Sequence, residues 1–89
     1  MRARDICFSA AELVGGDRAR QHGDARSLHA RIAALWSAYL GQTITPHDAA
    51  LMMLLMKVAR TAGGTFNFDN YIDAAGYAGI AAEVAEANA

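Results

Sequence analysis

This sequence of 89 residues has little of several features that identify common protein classes. Its one cysteine, Cys7, excludes an intramolecular disulfide bond and a zinc site built from cysteines. Its position between Ile6 and Phe8 is typical of a buried small hydrophobic residue rather than of a nucleophile. The net charge is −1, from eight basic and nine acidic residues, so no overall field attracts nucleic acid or an anionic membrane.

The sequence also has no long hydrophobic run. The longest unbroken apolar stretch, Ala49 to Met56, is far too short to cross a bilayer. The first five residues, Met-Arg-Ala-Arg-Asp, lack the apolar core of a secretory signal. We therefore expect a soluble cytoplasmic protein with no membrane association.

Sequence motifs of catalysis and metal binding are scarce. The three histidines have no metal-ligand spacing, the serines have no nucleophile-elbow context, and the paired glycines are better explained as helix ends than as a phosphate-binding loop. A basic strip is interrupted by acidic residues, so nucleic-acid binding is not expected. The histidines are His22, His29 and His47, and the serines are Ser9, Ser27 and Ser37. The paired glycines are Gly15-Gly16 and Gly63-Gly64, and the basic strip consists of Arg18, Arg20, Arg26 and Arg31.

What the sequence does contain is apolar residues, 54% of the total, many of them alanine. A chain of this length forms one domain, residues 1–89, with a small core. Alanine buries little area per residue but lets helices pack closely. We therefore expect an all-α fold, a small four-helix bundle, and a homo-oligomer that buries additional apolar surface.

Local signals place the first two helices. The first begins either at Ser9, with Glu12 completing a capping box, or near Arg4 or Asp5, which we prefer because the apolar stripe includes Ile6. Gly15-Gly16 ends it. The second helix carries apolar residues at helical spacing from Leu28 to Tyr39, is capped by Asp24 or Ser27, and stops at Gly41. We interpret Trp36 and Tyr39 as core or interface anchors.

The segment 16–26 between these helices is the most polar part of the chain. We interpret it as a solvated connection, or alternatively as a basic, mobile lid over a nucleotide or an acidic partner.

Thr45-Pro46-His47-Asp48 predicts the start of a third helix, with Thr45 as N-cap and Asp48 near the positive end of the helix dipole. The residues that follow are apolar on every side, which predicts a central, surrounded helix. Lys57 interrupts this apolar helix, and a partly buried ammonium needs a counter-charge. We expect Asp73 to supply it.

The fourth helix is expected from Asp69 or Asn70, as cap, to about Ala87. Asp69 and Asp73 lie four residues apart and therefore on one face. The small residues that follow, including Gly76 and Gly79, predict a close approach to another helix, because each glycine costs about 1 kcal/mol in a helix interior and tight packing usually offsets that. Phe66 and Phe68 precede the helix, and we expect them to fold back as a hydrophobic plug.

These segments together resemble a family of short bacteriophage and prophage proteins of unknown function. The residues that carry the resemblance are Gly16-Asp17-Arg18, His22-Gly23-Asp24, Ile32 to Leu40, Asp48 to Arg60 and Asp69 to Tyr77. The resemblance covers nearly the whole chain and implies a phage origin, an all-α fold and a location in the host cytoplasm. This chain departs from the pattern at His22, where the family has tyrosine, and at Leu28, where a polar residue is expected.

A looser similarity leads to the all-α nucleotide pyrophosphohydrolases of the MazG type, although neither of their acidic motifs is present. By that analogy Asp48, Asp69 and Asp73 would bind Mg²⁺, and Lys57 and Arg60 would bind nucleotide phosphates. The structural alternatives are equally simple. Asp48 and Asp69 would stabilise helix starts, and Asp73 would pair with Lys57 or Arg60.

Two functions follow from these interpretations. One is nucleotide binding or hydrolysis. The other is a protein-binding module without chemistry, such as an inhibitor of a host defence complex or an assembly or regulatory partner. Trp36, Tyr39, Phe66 and Phe68 would be its anchors.

Overall fold

A computed structural model describes residues 1–16 and 24–87, and this part of the chain forms four helices. Their bounds are α1 Ala3–Gly15, α2 Ala25–Leu40, α3 Pro46–Thr61 and α4 Phe68–Ala87. No strand occurs in the described ranges. The predicted all-α, four-helix fold is confirmed. Most of the polar segment interpreted as a connection or a lid, including His22, lies outside the described residues.

Helix starts follow the predicted capping chemistry, with one exception. Asp24 caps α2, and at the start of α3 the amide of Asp48 donates to Thr45 Oγ1 over 3.0 Å while Asp48 Oδ2 accepts from the Thr45 amide over 3.2 Å. At the start of α4 the capping residue is Asn67, whose Oδ1 accepts from the Asp69 amide at 2.9 Å, not Asp69 or Asn70 as expected. Asn and Asp are about equally good capping residues, and the observed cap lies two residues before Asp69.

The start of α1 at Ala3 confirms the earlier of the two predicted positions. Asp5 accepts a hydrogen bond from the Arg2 amide over 2.8 Å, while Ser9 lies inside the helix. Cys7, expected to be buried, is exposed. The covered positions of this helix are Ile6, Ser9, Ala10 and Leu13, and Cys7 lies at the edge of that stripe, where no other helix covers it among the described residues.

Helix α4 contacts all three other helices, and its contact with α3 is the most extensive in the structure. Helix α3 packs against α2 and α4, and its remaining side is exposed to solvent. The structure therefore differs from the expectation that α3 is surrounded on every side. An all-apolar helix has no polar face to mark the side that stays in water, so its sequence alone does not reveal that side.

The buried side chains of the described residues are mainly small. They are Ala10, Ala33, Ala49, Ala50, Ala81, Val84 and the imidazole of His29. Alanine contacts bring the helix backbones close together but remove little apolar area from water. Many of the larger apolar side chains lie at exposed positions instead, including Tyr39, which is 89% exposed and thus is not a core anchor.

Candidate functional site

The contact between α3 and α4 contains an ion pair. Lys57 Nζ lies 2.7 Å from Asp73 Oδ2, and the two side chains are 12% and 22% exposed. Lys57 is in the last two turns of α3 and Asp73 is in the second turn of α4. A connection of six residues reverses the chain between these helices and brings the two positions together. The predicted Lys57–Asp73 pairing is confirmed.

Asp48 lies far from this pair. Nine residues separate it from Lys57, which corresponds to about 13 Å along the helix axis and about 180° around it. Hydrogen bonds from the backbone and the hydroxyl of Thr45 lower the pKa of the Asp48 carboxyl, which is solvent-exposed. Asp48 therefore acts as a helix-capping residue, and the fold holds it on the opposite side of α3 from Asp73.

Asp69 is exposed in the first turn of α4, where its charge interacts favourably with the helix dipole. Among residues 1–16 and 24–87, no three His, Cys, Asp or Glu side chains are grouped so that they could hold a metal ion. The three carboxylates considered as Mg²⁺ ligands therefore do not converge. Asp73, the most buried of them, is already neutralised by Lys57.

Arg60 is exposed in the last turn of α3, where its charge is favourable for the helix dipole. It does not share the half-buried environment of Lys57. Of the two cations considered as phosphate ligands, Lys57 is therefore paired with Asp73, whereas Arg60 is exposed to solvent.

His29 is a buried group whose position sequence reasoning missed. Its Nδ1 lies 2.8 Å from the carbonyl oxygen of Ala25, one turn earlier in α2, and its Nε2 has no hydrogen-bond partner among the described residues. Because a carbonyl only accepts, Nδ1 carries a proton. The ring meets Tyr77 of α4 edge-on, with centroids 6.4 Å apart. The available sequence signal was its position one turn before Ala33, on the stripe that faces the core.

Three aromatic rings form an exposed cluster where the α3–α4 connection enters α4. The Phe66 ring lies 4.9 Å from Phe68 and 5.6 Å from Tyr71, measured between centroids. All three side chains remain exposed, Phe66 by 65%. We call Phe66, Phe68 and Tyr71 the aromatic cluster. The expected plug of Phe66 and Phe68 is thus a surface cluster, since these rings pack on each other and on Tyr71.

The sequence matches the family model described as "Domain of unknown function (DUF6378)" over residues 5–85. It is 46% identical over 76 residues to the Gene 55 protein of Mycobacterium phage L5, covering 84% of this chain and 49% of that protein. It is 37% identical over 84 residues to the Gene 55 protein of Mycobacterium phage D29, covering 94% of this chain and 56% of that protein.

The chain therefore spans about half the length of these curated relatives. No solved structure matches it. Within the described residues, no helix is both long enough and apolar enough to span a bilayer.

Proposed function

This chain belongs to the DUF6378 family, and we propose that it is a protein-binding module without catalytic chemistry. The observation that carries this proposal is the exposed aromatic cluster. Residues that contribute most to protein–protein affinity are enriched in large aromatic side chains. A cluster held by its own ring–ring contacts loses less conformational entropy on binding than separate flexible side chains would.

The partner we propose is a protein with an apolar pocket or groove that accepts the Phe66 ring, the most exposed of the three. Because the net charge of the chain is only −1, such binding would depend on shape and apolar contact rather than on long-range attraction. The relatives come from bacteriophages, so the partner is either a host protein, such as a component of a defence complex, or another phage protein in assembly or regulation.

The ion pair supports a binding role over nucleotide hydrolysis. A nucleotide site needs cations available to phosphate and carboxylates available to Mg²⁺. Here the ammonium of Lys57 is 2.7 Å from the carboxylate of Asp73, so each neutralises the other. Asp48 is about two and a half turns away on the other side of α3.

Affinity purification from phage-infected host cells, followed by reconstitution with the purified partner, tests the proposal. We expect the wild-type chain to bind a stoichiometric partner and the Phe66→Ser/Phe68→Ser variant to bind it at least 10-fold more weakly. Tyr39→Ser is the matched control, because it also removes an exposed aromatic ring but from α2. Circular dichroism establishes that each variant is folded.

Three outcomes would overturn the proposal. The first is release of pyrophosphate from a nucleoside triphosphate in the presence of Mg²⁺, lost in Lys57→Met or Asp73→Asn. The second is a partner whose affinity is unchanged in the Phe66→Ser/Phe68→Ser variant. A thermal shift with nucleotides, without hydrolysis, would instead favour a nucleotide-binding protein and would likewise contradict a role in protein binding alone.

A further inference from the structure

Helix α3 has an apolar side that the rest of the described chain leaves in water. Its residues are Leu51, Met52, Leu55, Val58 and Ala59, which we call the outer face of α3. All five are exposed, and Leu55, at the centre, is 63% exposed. Their spacing of three and four residues places them on one side of the helix, opposite the buried Ala50 and the half-buried Lys57.

We propose that the outer face of α3 binds a second copy of this chain, forming an antiparallel helix pair with a two-fold axis at Leu55. This self-association concerns a different surface from the aromatic cluster, so it goes beyond the function proposed above. Either interaction can fail while the other persists.

The arrangement of side chains favours a second copy because the face is complementary to itself. A two-fold axis at Leu55 places Leu51 opposite Ala59 of the other copy and Met52 opposite Val58. Leu55 meets its own copy on the axis. In the two pairs on either side of it a longer side chain meets a shorter one, and each of these contacts occurs twice, as a symmetric dimer interface requires. Alternation of large and small residues across facing positions is what allows two helices to interdigitate.

The charges at the ends of α3 are compatible with the same arrangement. Asp48 lies in the first turn and Arg60 in the last turn, with no charged residue on the outer face between them. Antiparallel packing brings the first turn of one copy level with the last turn of the other. Asp48 then lies near the turn that carries Arg60, and the two helix dipoles are opposed. A parallel pair would instead place like charges and like helix ends side by side.

The size of the face determines the expected strength. With the exposed fractions observed, the apolar area of the outer face is roughly 400 Å² per copy, within the range of patches that mark interaction sites. A standard interface buries about 800 Å² per partner. Neighbouring atoms would add to this area. Because the face is still smaller than a standard interface, we expect a weak dimer, with a dissociation constant on the order of 1–100 μM.

Sedimentation equilibrium of the whole chain, over about 1–500 μM, tests the proposal. We expect a reversible monomer–dimer equilibrium that Leu55→Glu weakens at least 10-fold, because the axis brings the two introduced carboxylates together. Tyr39→Glu is the control. It places the same charge at another exposed apolar position, on α2, and should leave the equilibrium unchanged.

Cross-linking tests the geometry in a Cys7→Ser background, which removes the native exposed thiol. Helices 8–10 Å apart bring facing Cα atoms within about 4–6 Å at the axis, a separation that a disulfide bond spans. Leu55→Cys should therefore form a disulfide-linked dimer under mild oxidation. Tyr39→Cys, on α2, should not. A mixture of Leu51→Cys and Ala59→Cys chains should cross-link more than either chain alone.

The proposal is overturned by a chain that stays monomeric throughout the concentration range. It is also overturned by a dimer that Leu55→Glu leaves intact, or by one that Tyr39→Glu disrupts. If the chain is monomeric and Leu55→Glu abolishes binding of the partner recovered from infected cells, the outer face of α3 binds a different protein, and the second copy is excluded.

Discussion

Lys57 Nζ of α3 lies 2.7 Å from Asp73 Oδ2 of α4, and most of each side chain is shielded from water. Removing two charges from water costs free energy, which a short, charge-assisted hydrogen bond between them offsets. We therefore expect the pair to select the register of α4 on α3 rather than to add much net stability. Sliding α4 along α3 by one turn would leave both charges half-buried and unpaired.

Single substitutions at this pair should destabilise the fold more than the double substitution does. We expect Lys57→Met or Asp73→Leu to lower the free energy of unfolding by about 1–3 kcal/mol, because each leaves an unpaired half-buried partner. Lys57→Met/Asp73→Leu should recover at least half of that loss. Urea denaturation of all four proteins gives the coupling energy. Additive losses would mean that the two charges do not interact in solution.

Gly76 of α4 lies against Val14 of α1. It is buried, and a Cβ atom built there would lie 3.2 Å from Val14 Cγ1. Gly79, one turn further along α4, is exposed, and a Cβ atom built there would have no neighbouring atom within 4 Å in the described part of the chain. The predicted close approach is therefore confirmed at Gly76 and not at Gly79.

The two glycines should respond differently to alanine. We expect Gly79→Ala to raise the free energy of unfolding by about 0.5–1 kcal/mol, because alanine favours the helix and the position has space. Gly76→Ala should be less stable than Gly79→Ala by about 1 kcal/mol, since Val14 must move to admit the new methyl group. Thermal and urea unfolding measure both.

Val14→Ala tests whether contact with Val14 causes the difference in stability between Gly76→Ala and Gly79→Ala. Combined with Gly76→Ala it removes the obstructing Cγ1 atom, so the double variant should be more stable than the sum of the single effects predicts. Equal gains from Gly76→Ala and Gly79→Ala would instead show that α1 does not pack closely on α4.

The sequence predicted those features of the fold that depend on local chemistry. Thr45-Pro46-His47-Asp48 marks the start of α3 because capping, a preset φ and the helix dipole act within one turn. Gly41, with φ of 67°, ends α2 because a residue with a Cβ rarely adopts that conformation. Lys57 needed a counter-charge wherever α3 was placed, so its pairing with an acid of the last helix could also be anticipated.

Features that depend on tertiary packing could not be predicted from local sequence patterns. The residues of α3 are apolar on every side, so no periodicity distinguished the buried Ala50 from the exposed Leu55. The candidate metal ligands were chosen by residue type. Asp73 lies beside Lys57, and Asp48 is nine residues from Lys57 and therefore on the opposite side of α3, so the two carboxylates do not meet. The edge-on contact between His29 and Tyr77 joins residues of α2 and α4, so no local pattern predicts it.

Ser37 fixes the connection between α2 and α3. Its Oγ accepts from the Ile44 amide over 2.8 Å and donates to the Ile44 carbonyl oxygen over 3.1 Å. We expect Ser37→Ala to lower the free energy of unfolding by about 1–2 kcal/mol, because both part-buried backbone groups lose their partner. Ser37→Thr keeps the hydroxyl and should retain most of the stability. Hydrogen exchange at the Ile44 amide should accelerate in Ser37→Ala only, and an unchanged rate would contradict this role.

Two helix-capping carboxylates should make the stability depend on acid pH. The pKa of Asp24 lies below its ordinary value of 3.8 because the backbone amide and the hydroxyl of Ser27 both donate to it. The pKa of Asp48 is lowered likewise by hydrogen bonds from Thr45. Below the ordinary value the unfolded chain binds protons that the folded chain does not yet bind. This stabilisation is therefore complete above about pH 4–5 and is lost as the pH falls through the two folded-state pKa values.

Neutral capping residues separate the effect of charge from the effect of the hydrogen bond. Asp24→Asn and Asp24→Ser keep a capping oxygen, so they should retain most of the stability at pH 7 and show a shallower decline as the pH falls below about 4. Asp24→Ala removes the cap, so it should lose stability at pH 7 as well as flatten the acid decline. Urea denaturation at a series of pH values measures these slopes. If Asp24→Asn declined as steeply as the wild type in acid, the hydrogen bonds from Ser27 would not stabilise the ionised carboxylate in the folded chain, and the acid sensitivity would have to come from other groups.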